Sequence, residues 1–348
     1  MAKTTFGIFD HIEGIPGTST QQLLHDRLNI IKKADAAGFA GFYFAEHHGT
    51  DLCLVPNQDL IIAAASQVTT TIRMGPMVKL LPLHNPVRVI EDLCVLDNLT
   101  NGRVEFGVGR GIAPVEHYWF GGDWLTSRDR YHDALGIIAR ALRTGEISSE
   151  DSKYYNFRTM PMACMPVQEN IPFWCPNNPA AAGRYGFKLM CAGPITKQGY
   201  DLYLENWHTH RDDPIRFDGP DDEPFVGVTM PIAIDYDEKI AHDQATRAMM
   251  GLMRRAHAVH DWDVELIGED AAYDALAALR HIMSVMERKI EDGYGTPSKI
   301  IDRFGKLIDD GMADQIVLQT PTGDITIEEA NATLELFISE VQPALEAA

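Results

Sequence analysis

The chain has 348 residues, of which 45% are hydrophobic and 23% charged, and its 50 acidic against 30 basic side chains give a formal charge of −20. These proportions are typical of a globular protein and exclude a disordered, collagen-like or coiled-coil chain. The acidic surface disfavours a general nucleic-acid binder, because it repels phosphate backbones. The N-terminus has no apolar signal core, the five cysteines form no CxxC pair, and no apolar run reaches the ~20 residues that span a bilayer. We therefore expect a cytoplasmic protein that does not bind membranes.

Short apolar runs alternate along the chain with stretches of helical period. The predicted strands are residues 6–10, 41–45, 72–78, 104–109, 172–175, 188–192, 225–234 and 315–319. Eight strands that alternate with helices predict an α/β fold with a parallel sheet, a (β/α)8 TIM barrel. An open doubly wound sheet is the alternative, but the run DHIEGIPGTS after the first strand lacks the GxGxxG turn that such a sheet favours.

Helix-capping residues and the length of the chain complete the predicted organisation. Asn85 before Pro86 predicts a helix start, and Thr326 with Glu329 predicts a capping box for the last helix. A barrel needs ~250 residues, so we expect insertions near residues 145–170, 193–224 and 261–273, the last as a polar link between two helical stretches. Without internal repeats or an interdomain linker, residues 1–348 are predicted to form a single domain.

Ionisable residues follow the second predicted strand. Active sites of (β/α)8 barrels lie at the carboxyl ends of the strands, and here the run AEHHGTD places Glu46, His47 and His48 at that rim. Histidine exchanges protons near neutral pH, which favours a catalytic cluster. The alternative is that one of the histidines only packs beside the strand.

The fourth and fifth strands end in residues that suit a phosphate group. The run FGVGRG combines glycines, including Gly109, with Arg110, whose planar cation matches a phosphate. Asn177 and Asn178 precede a predicted helix whose first N–H groups favour an anion, although both can also be simple caps. Together these segments predict a phosphate cradle.

Metal and serine chemistry are not favoured. His208 and His210 have the HxH spacing of some metal sites, but they lie in a polar segment away from the strand ends, and the sequence has no HExxH motif or cysteine cluster. No GxSxG motif marks a nucleophilic serine. The methionines at positions 249, 250 and 253 are expected to be helix core.

In their order, these motifs make the chain similar to the bacterial luciferase-like family of flavin-dependent monooxygenases over its whole length. The most specific segment is LLPLHNPVRVIEDLCVLDNLTNGRVEFGVGRG, residues 80–111, which resembles the family's run of LP, HP, a helix ending in LD, then GR and a GxGRG strand end. The EHH of residues 46–48 matches the strand-two signature of the luciferase branch, and residues 295–319 are similar to the family's last helix–strand unit.

The resemblance implies a barrel that binds reduced FMN (FMNH2) supplied by a separate flavin reductase. O2 would form a C4a-(hydro)peroxyflavin that oxygenates a small organic substrate such as an aldehyde or ketone. It also implies a homodimer formed through barrel helices, with the helix at residues 59–68 as a candidate contact.

The resemblance also assigns catalytic roles by position. The first histidine of EHH is catalytic in the luciferase branch, which gives that role to His47. Glu46 would orient it or shape the pocket, and His48 is a second candidate.

The implied cofactor contacts lie on several strand ends. Contacts to the flavin phosphate fall on Arg110, with the N–H of Ile112 nearby, and on Arg128. A non-proline cis peptide beneath the isoalloxazine falls on the bond between Met77 and Val78. Asn177 and Asn178 stand where the family offers a small polar residue, Ser and Thr, so a threonine contact is lost.

Two other functions remain open at this stage. A deazaflavin (F420)-dependent dehydrogenase of the same superfamily would transfer hydride without O2, and the EHH signature disfavours it. A non-catalytic flavin-binding subunit would not need His47 and Arg110, which this chain retains. Because a reactive flavin must be shielded from water, we expect residues 193–224 and 261–273 to form a lid. The sequence does not name the substrate.

Overall fold

The computed structural model describes residues 4–268, 277, 284 and 293–347. Its strands are β1 (Thr5–Asp10), β2 (Gly41–Phe44), β3 (Arg73–Pro76), β4 (Lys79–Leu80), β5 (Phe106–Gly109), β6 (Glu146–Ile147), β7 (Met160–Pro161), β8 (Phe173–Pro176), β9 (Lys188–Ala192), β10 (Val226–Pro231), β11 (Ala233–Ile234), β12 (Tyr294–Gly295) and β13 (Gln315–Gln319). Its α-helices are α1 (Thr20–Ala36), α2 (Gln58–Ser66), α3 (Pro86–Leu99), α4 (Pro114–Trp119), α5 (Ser127–Thr144), α6 (Pro179–Tyr185), α7 (Lys197–Thr209), α8 (Glu238–Ile267), α9 (Pro297–Asp309), α10 (Ile327–Leu336) and α11 (Gln342–Ala347). Both predicted helix starts are confirmed, because Asn85 caps α3 and Thr326 with Glu329 forms the capping box of α10.

The main sheet is parallel and closes into a barrel. Its strand order is β3-β2-β1-β13-β10-β9-β8-β5-β4. The seam is closed by a parallel bridge between Met74 and Val104, where Met74 donates to the Arg103 carbonyl at 3.0 Å and Glu105 donates back to Met74 at 2.9 Å. All eight predicted strands are present in it, and the prediction of a (β/α)8 barrel is confirmed.

Two predicted strands are divided in the structure. Within residues 72–78, β3 ends at Pro76, the bond between Met77 and Val78 is cis, and pairing resumes as β4. Within residues 225–234, β10 ends at Pro231, which has no N–H to continue a ladder. The chain then leaves the barrel as β11 and pairs with β12.

Buried apolar side chains pack between the barrel and the helices, and a charged cluster fills the amino ends of the strands. This amino-end cluster consists of Glu105, Lys188, Arg73, Trp174 and Tyr43. Oε1 of Glu105 accepts from the side chains of Lys188 and Arg73, both at 2.8 Å. Oε2 accepts from the Trp174 indole at 2.6 Å and from the Tyr43 hydroxyl at 3.0 Å. Burial raises the pKa of Glu105, but the charges of Lys188 and Arg73 outweigh it and bring the pKa to about 2.

The three segments predicted as insertions differ in structure. Residues 145–170 carry the short antiparallel pair β6–β7. Residues 193–224 contain α7 and a loop that packs at the amino ends of the strands, where Arg216 donates to the Gly183 carbonyl at 3.0 Å and Phe217 donates to the Tyr185 carbonyl at 3.0 Å. Single-domain organisation stays a prediction.

The prediction of a polar link at residues 261–273 is wrong for its first half. Residues 261–267 continue α8, because their side chains have partners on α4: Asp263 accepts from the N–H of Val115, and Trp262 packs edge-on against Trp119. Residues 269–273 lie outside the described residues. None of the helices in the described ranges is long and apolar enough to cross a membrane.

Candidate active site

A cavity of about 830 Å³ opens at the carboxyl ends of the barrel strands. Ten of the eleven residues predicted for the site line it, namely Glu46, His47, Met77, Val78, Gly109, Arg110, Ile112, Arg128, Asn177 and Asn178. The eleventh, His48, turns its ring toward Glu46 and Phe120 instead. The structure therefore brings together residues from four separate strand ends and, with Arg128, from the first turn of α5.

His47 is held by a buried carboxylate on α4. Its Nδ1 lies 3.1 Å from Oε1 of Glu116, and the same oxygen accepts the backbone N–H of His48 at 2.9 Å. Burial lowers the pKa of His47, but the Glu116 carboxylate outweighs this effect and holds the pKa above its ordinary value. With Nδ1 turned to Glu116, Nε2 is the nitrogen left to act on a molecule in the cavity.

The side chain of Glu46 links the end of β2 to β4 and the residues that follow it. Its Oε1 contacts Nε2 of His84 at 2.6 Å and Nε2 of His48 at 3.0 Å, and its Oε2 accepts from the N–H of Leu80 at 3.1 Å. Burial raises the pKa of Glu46, but the hydrogen bonds from His48 and His84 outweigh it and hold the pKa well below its ordinary value. Of the two roles predicted for Glu46, the contact with His47 belongs instead to Glu116, whereas Glu46 lines the cavity, as the alternative predicts.

His11, directly after β1, is a cavity residue that no sequence motif marks. Its ring lies nearly parallel to that of His47, with centroids 6.2 Å apart. Burial, and then the neighbouring His47, lower the pKa of His11 to about 3. A neutral imidazole thus stands beside one that is more readily protonated.

Two arginines stand where the phosphate contacts are predicted. The guanidinium of Arg110 lies 3.9 Å from the centroid of the Trp124 ring, which fixes its plane. Arg128 is exposed in the first turn of α5. Both line the cavity, so they place positive charge together at its edge.

The two asparagines after β8 are bound to the chain itself. Oδ1 of Asn178 accepts from the N–H of Ala181 at 3.1 Å and caps α6, as the capping alternative predicts. Oδ1 of Asn177 accepts from the N–H of Ala192 at 2.8 Å and ties β8 to the end of β9. Their carbonyl oxygens are therefore engaged, and the cationic contacts rest on the arginines.

The glycines of β5 leave space that a neighbouring segment of the chain occupies. A Cβ on Gly109 would lie 2.4 Å from Cγ2 of Val78, and one on Gly107 would lie 2.4 Å from the Pro76 carbonyl. Residues 76–78, with the cis bond between Met77 and Val78 at the predicted position, lie directly against β5. The space beside these glycines is thus filled by residues 76–78, which form one wall of the cavity.

One side of the cavity is covered by α8, which we call the roof helix. The residues of the roof helix that line the cavity are Met249, Leu252, Met253, Ala256, Val259 and His260. Buried Arg255 fixes the helix to the loop after β1 through the Gly14 carbonyl at 2.6 Å, and to the loop after β13 through Asp324 at 3.1 Å. The roof helix is therefore anchored to the loops that follow two neighbouring strands, β1 and β13.

The prediction that residues 193–224 form a lid is wrong, because their loop packs at the amino ends of the strands, opposite the cavity. The cover comes from residues 249–260 instead.

The expectation of helix core holds for Met249, which is 3% exposed, but not for Met250, which is 63% exposed.

The roof helix carries a second carboxylate–histidine pair that no motif marks. Nδ1 of His260 lies 2.7 Å from Oδ2 of Asp263. Oδ1 of Asp263 accepts from the N–H of Val115, next to Glu116, at 2.5 Å. A His and an Asp three residues apart are common in polar helices, so only the fold reveals that His260 faces a cavity.

Comparison with known proteins relates this geometry to one family. The chain matches the family model described as luciferase-like monooxygenase over residues 4–314. It is 25% identical to the protein y4wF of Sinorhizobium fredii over 98% of this chain and 97% of that protein. It is 29% identical to limonene 1,2-monooxygenase of Rhodococcus erythropolis over 54% of this chain and 50% of that enzyme.

Solved structures share the fold. The monooxygenase RslO1 from Streptomyces bottropensis has a TM-score of 0.77 at 22% identity, covering 97% of this chain and 99% of its own. The oxygenating constituent of 3,6-diketocamphane monooxygenase from Pseudomonas putida, in complex with FMN, has a TM-score of 0.74 at 19% identity and covers 98% of both chains. An F420-dependent secondary alcohol dehydrogenase has a TM-score of 0.69 at 17% identity over 99% of both chains. At these identities the likeness concerns the fold alone.

Proposed function

Because the chain belongs to the luciferase-like monooxygenase family, we propose that it is an FMNH2-dependent monooxygenase that transfers one oxygen atom of O2 to a small organic substrate. The observation that carries this proposal is His47, held by buried Glu116, in a cavity that also has Arg110 and Arg128 at its edge. The resemblance inferred from the sequence motifs is thereby confirmed at the level of the family.

The cavity suits a flavin mononucleotide. Its volume of about 830 Å³ lies in the upper part of the range of about 300–1,000 Å³ for ligand pockets, which leaves room for a substrate beside a flavin. Arg110 and Arg128 offer cations to the phosphate, and the segment with Met77 and Val78 offers an apolar surface to a flat ring. Reduced FMN, when bound, would supply the two electrons that send one oxygen atom of O2 to the substrate and the other to water.

The residues around the cavity would hold protons and exclude water. His47 is placed to donate or accept a proton through Nε2, while the Glu116 carboxylate stabilises the protonated ring. The roof helix would keep water away from the reacting atoms.

We also propose that a separate reductase supplies the reduced flavin and that the chain forms a homodimer through α2 and α3. Support for the dimer surface comes from Leu60 on α2, which is 69% exposed, and from Val95 on α3, which is 48% exposed. Leu60→Glu should therefore yield a monomer by light scattering, whereas the wild-type protein gives the mass of two chains. A wild-type mass of one chain at micromolar concentration would contradict the dimer.

Oxygen consumption tests the proposed activity. The protein is mixed with photoreduced FMN, or separately with reduced F420, and with a panel of aldehydes, ketones and hydroxylated aromatic compounds in the presence of ¹⁸O2. We expect one ¹⁸O atom in the product with FMNH2 only. Substrate reduction or oxidation with F420 and without O2 uptake would instead identify a dehydrogenase. Flavin binding without turnover of any panel member would favour a non-catalytic subunit.

A further inference from the structure

His260 is the one cavity histidine that the roof helix contributes among the described residues. It is 3% exposed, and Asp263 has no exposed surface. Nδ1 of His260 lies 2.7 Å from Oδ2 of Asp263, within ion-pair distance, and neither atom has a hydrogen-bond partner among the described residues. The second nitrogen, Nε2, is thereby the atom that the ring offers to a neighbour.

Asp263 is itself fixed by the helix that carries Glu116. Its Oδ1 accepts from the N–H of Val115 at 2.5 Å, in the first turn of α4. The side chains of Val115 and Val259 belong to one buried apolar cluster between the two helices. The position of His260 is therefore set by the same short helix that holds His47 through Glu116.

The surface around His260 on the roof helix is apolar. Leu252, Met253, Ala256 and Val259 line the cavity on the same helix, and Leu52 adds to this wall from the loop after β2. A ligand on this side of the cavity meets apolar side chains and one imidazole. A substrate that satisfies both must have an apolar body and a polar group placed at one edge.

We propose that His260, fixed by Asp263, is a substrate-binding residue whose Nε2 accepts a hydrogen bond from an O–H or N–H group of an apolar substrate. The inference rests on the proposed function for the organic nature of the substrate, and it assigns to the roof helix a recognition role that is separate from His47. Compounds with a hydroxyl or N–H donor are selected over analogues in which that donor is methylated, because a buried acceptor left without its donor loses its hydrogen bond and gains no solvent.

Two matched probes test this assignment without turnover. Binding of 2-naphthol and of 2-methoxynaphthalene to the full chain is measured by calorimetry, since a methyl group replaces the hydroxyl hydrogen in the second compound and the aromatic body is the same. We expect the wild-type protein to prefer 2-naphthol by about fivefold to tenfold, and His260→Phe to bind both probes alike. In ¹⁵N spectra of histidine-labelled protein, the Nε2 resonance of His260 should move with 2-naphthol and not with its methyl ether.

Two further variants separate His260 from its surroundings. Asp263→Asn leaves the ring but removes the carboxylate charge that lies 2.7 Å from Nδ1, so the preference should fall even if His260→Phe does not fold. His208→Phe, a change of an exposed histidine on α7, should keep the full preference.

Several outcomes would overturn the inference. These are equal affinity of the wild-type protein for the two probes, no binding of either probe, a preference retained in His260→Phe, or a preference lost in His208→Phe. A protein that shows the naphthol preference but consumes no O2 with FMNH2 would refute the proposed function and leave the role of His260 standing.

Discussion

Each end of the barrel buries a carboxylate, and the two carboxylates have different partners. At the amino end, Glu105 meets the permanent charges of Lys188 and Arg73 and the donors of Trp174 and Tyr43. At the carboxyl end, Glu116 meets a histidine ring and one backbone N–H. The difference separates stability from function, because a carboxylate paired with fixed cations keeps its charge, whereas one paired with imidazole controls a proton that moves near neutral pH.

Loss of the imidazole that Glu116 holds is expected to have the largest effect on turnover. His47→Ala should fold and still bind FMN, because the arginines lie on other elements, while product formation falls by about 10²–10⁴-fold, the usual contribution of positioned proton transfer. The oxygen should then appear as H2O2, measured alongside product. His48→Ala should do less, since the ring of His48 contacts Glu46 outside the cavity. Full activity of His47→Ala would remove His47 from the mechanism.

Removal of the Glu105 charge at the amino end of the barrel should lower the stability of the protein. Glu105→Gln should lower the free energy of unfolding by about 3 kcal/mol, because it leaves Lys188 and Arg73 without their buried carboxylate. Urea unfolding measures the change. Glu335→Gln, which breaks the exposed pair with Lys33, should cost less than about 1 kcal/mol. Similar losses for the two variants would mean that the amino-end cluster adds no special stability.

Loss of the phosphate contact proposed for Arg110 should change only the affinity for FMN. Arg110→Ala should weaken FMN binding by about 10–100-fold, the expected loss of a charge-assisted hydrogen bond. Anaerobic fluorescence titration measures this affinity. Arg88→Ala changes an arginine that pairs with Asp92 on α3 and should leave the affinity unchanged. Equal affinity of Arg110→Ala and wild type would place the phosphate elsewhere.

The pH dependence of unfolding should distinguish the neighbouring rings of His11 and His47. The folded pKa of His11 is lowered to about 3, so its contribution to stability is present above the ordinary value of about 6.5 and is lost as the pH falls below it. The slope is at most about 1.4 kcal/mol per pH unit. His47, whose folded pKa is raised, instead loses its contribution as the pH rises above that value. His11→Gln should flatten the acid side of a urea stability profile, and an unchanged profile would contradict the lowered pKa.

The barrel and six of the ten lining residues could be predicted because their signals are local, whereas Met77, Val78, Ile112 and Arg128 were predicted only through the resemblance to the family. Strand periodicity, EHH at the end of β2 and FGVGRG at the end of β5 each place a side chain at the rim before any tertiary contact is known. Glu116, His11 and His260 could not be predicted this way, since each gains its meaning from a contact across the fold. The lid was misplaced for the same reason: the sequence does not show at which end of the barrel the acidic run at residues 211–223 lies, and only the path of the chain places it opposite the cavity.

The two walls of the cavity differ in how freely their side chains could be exchanged by a protein engineer. Gly107 and Gly109 lie against residues 76–78 with no space for a Cβ, so mutational libraries at these positions would return folding failures instead of new specificities. Met253 and Ala256, which lie on the roof helix outside the barrel, line the same cavity. Redesign of substrate scope should therefore begin on the roof helix, where a change of side-chain volume reshapes the cavity and leaves the barrel seam untouched.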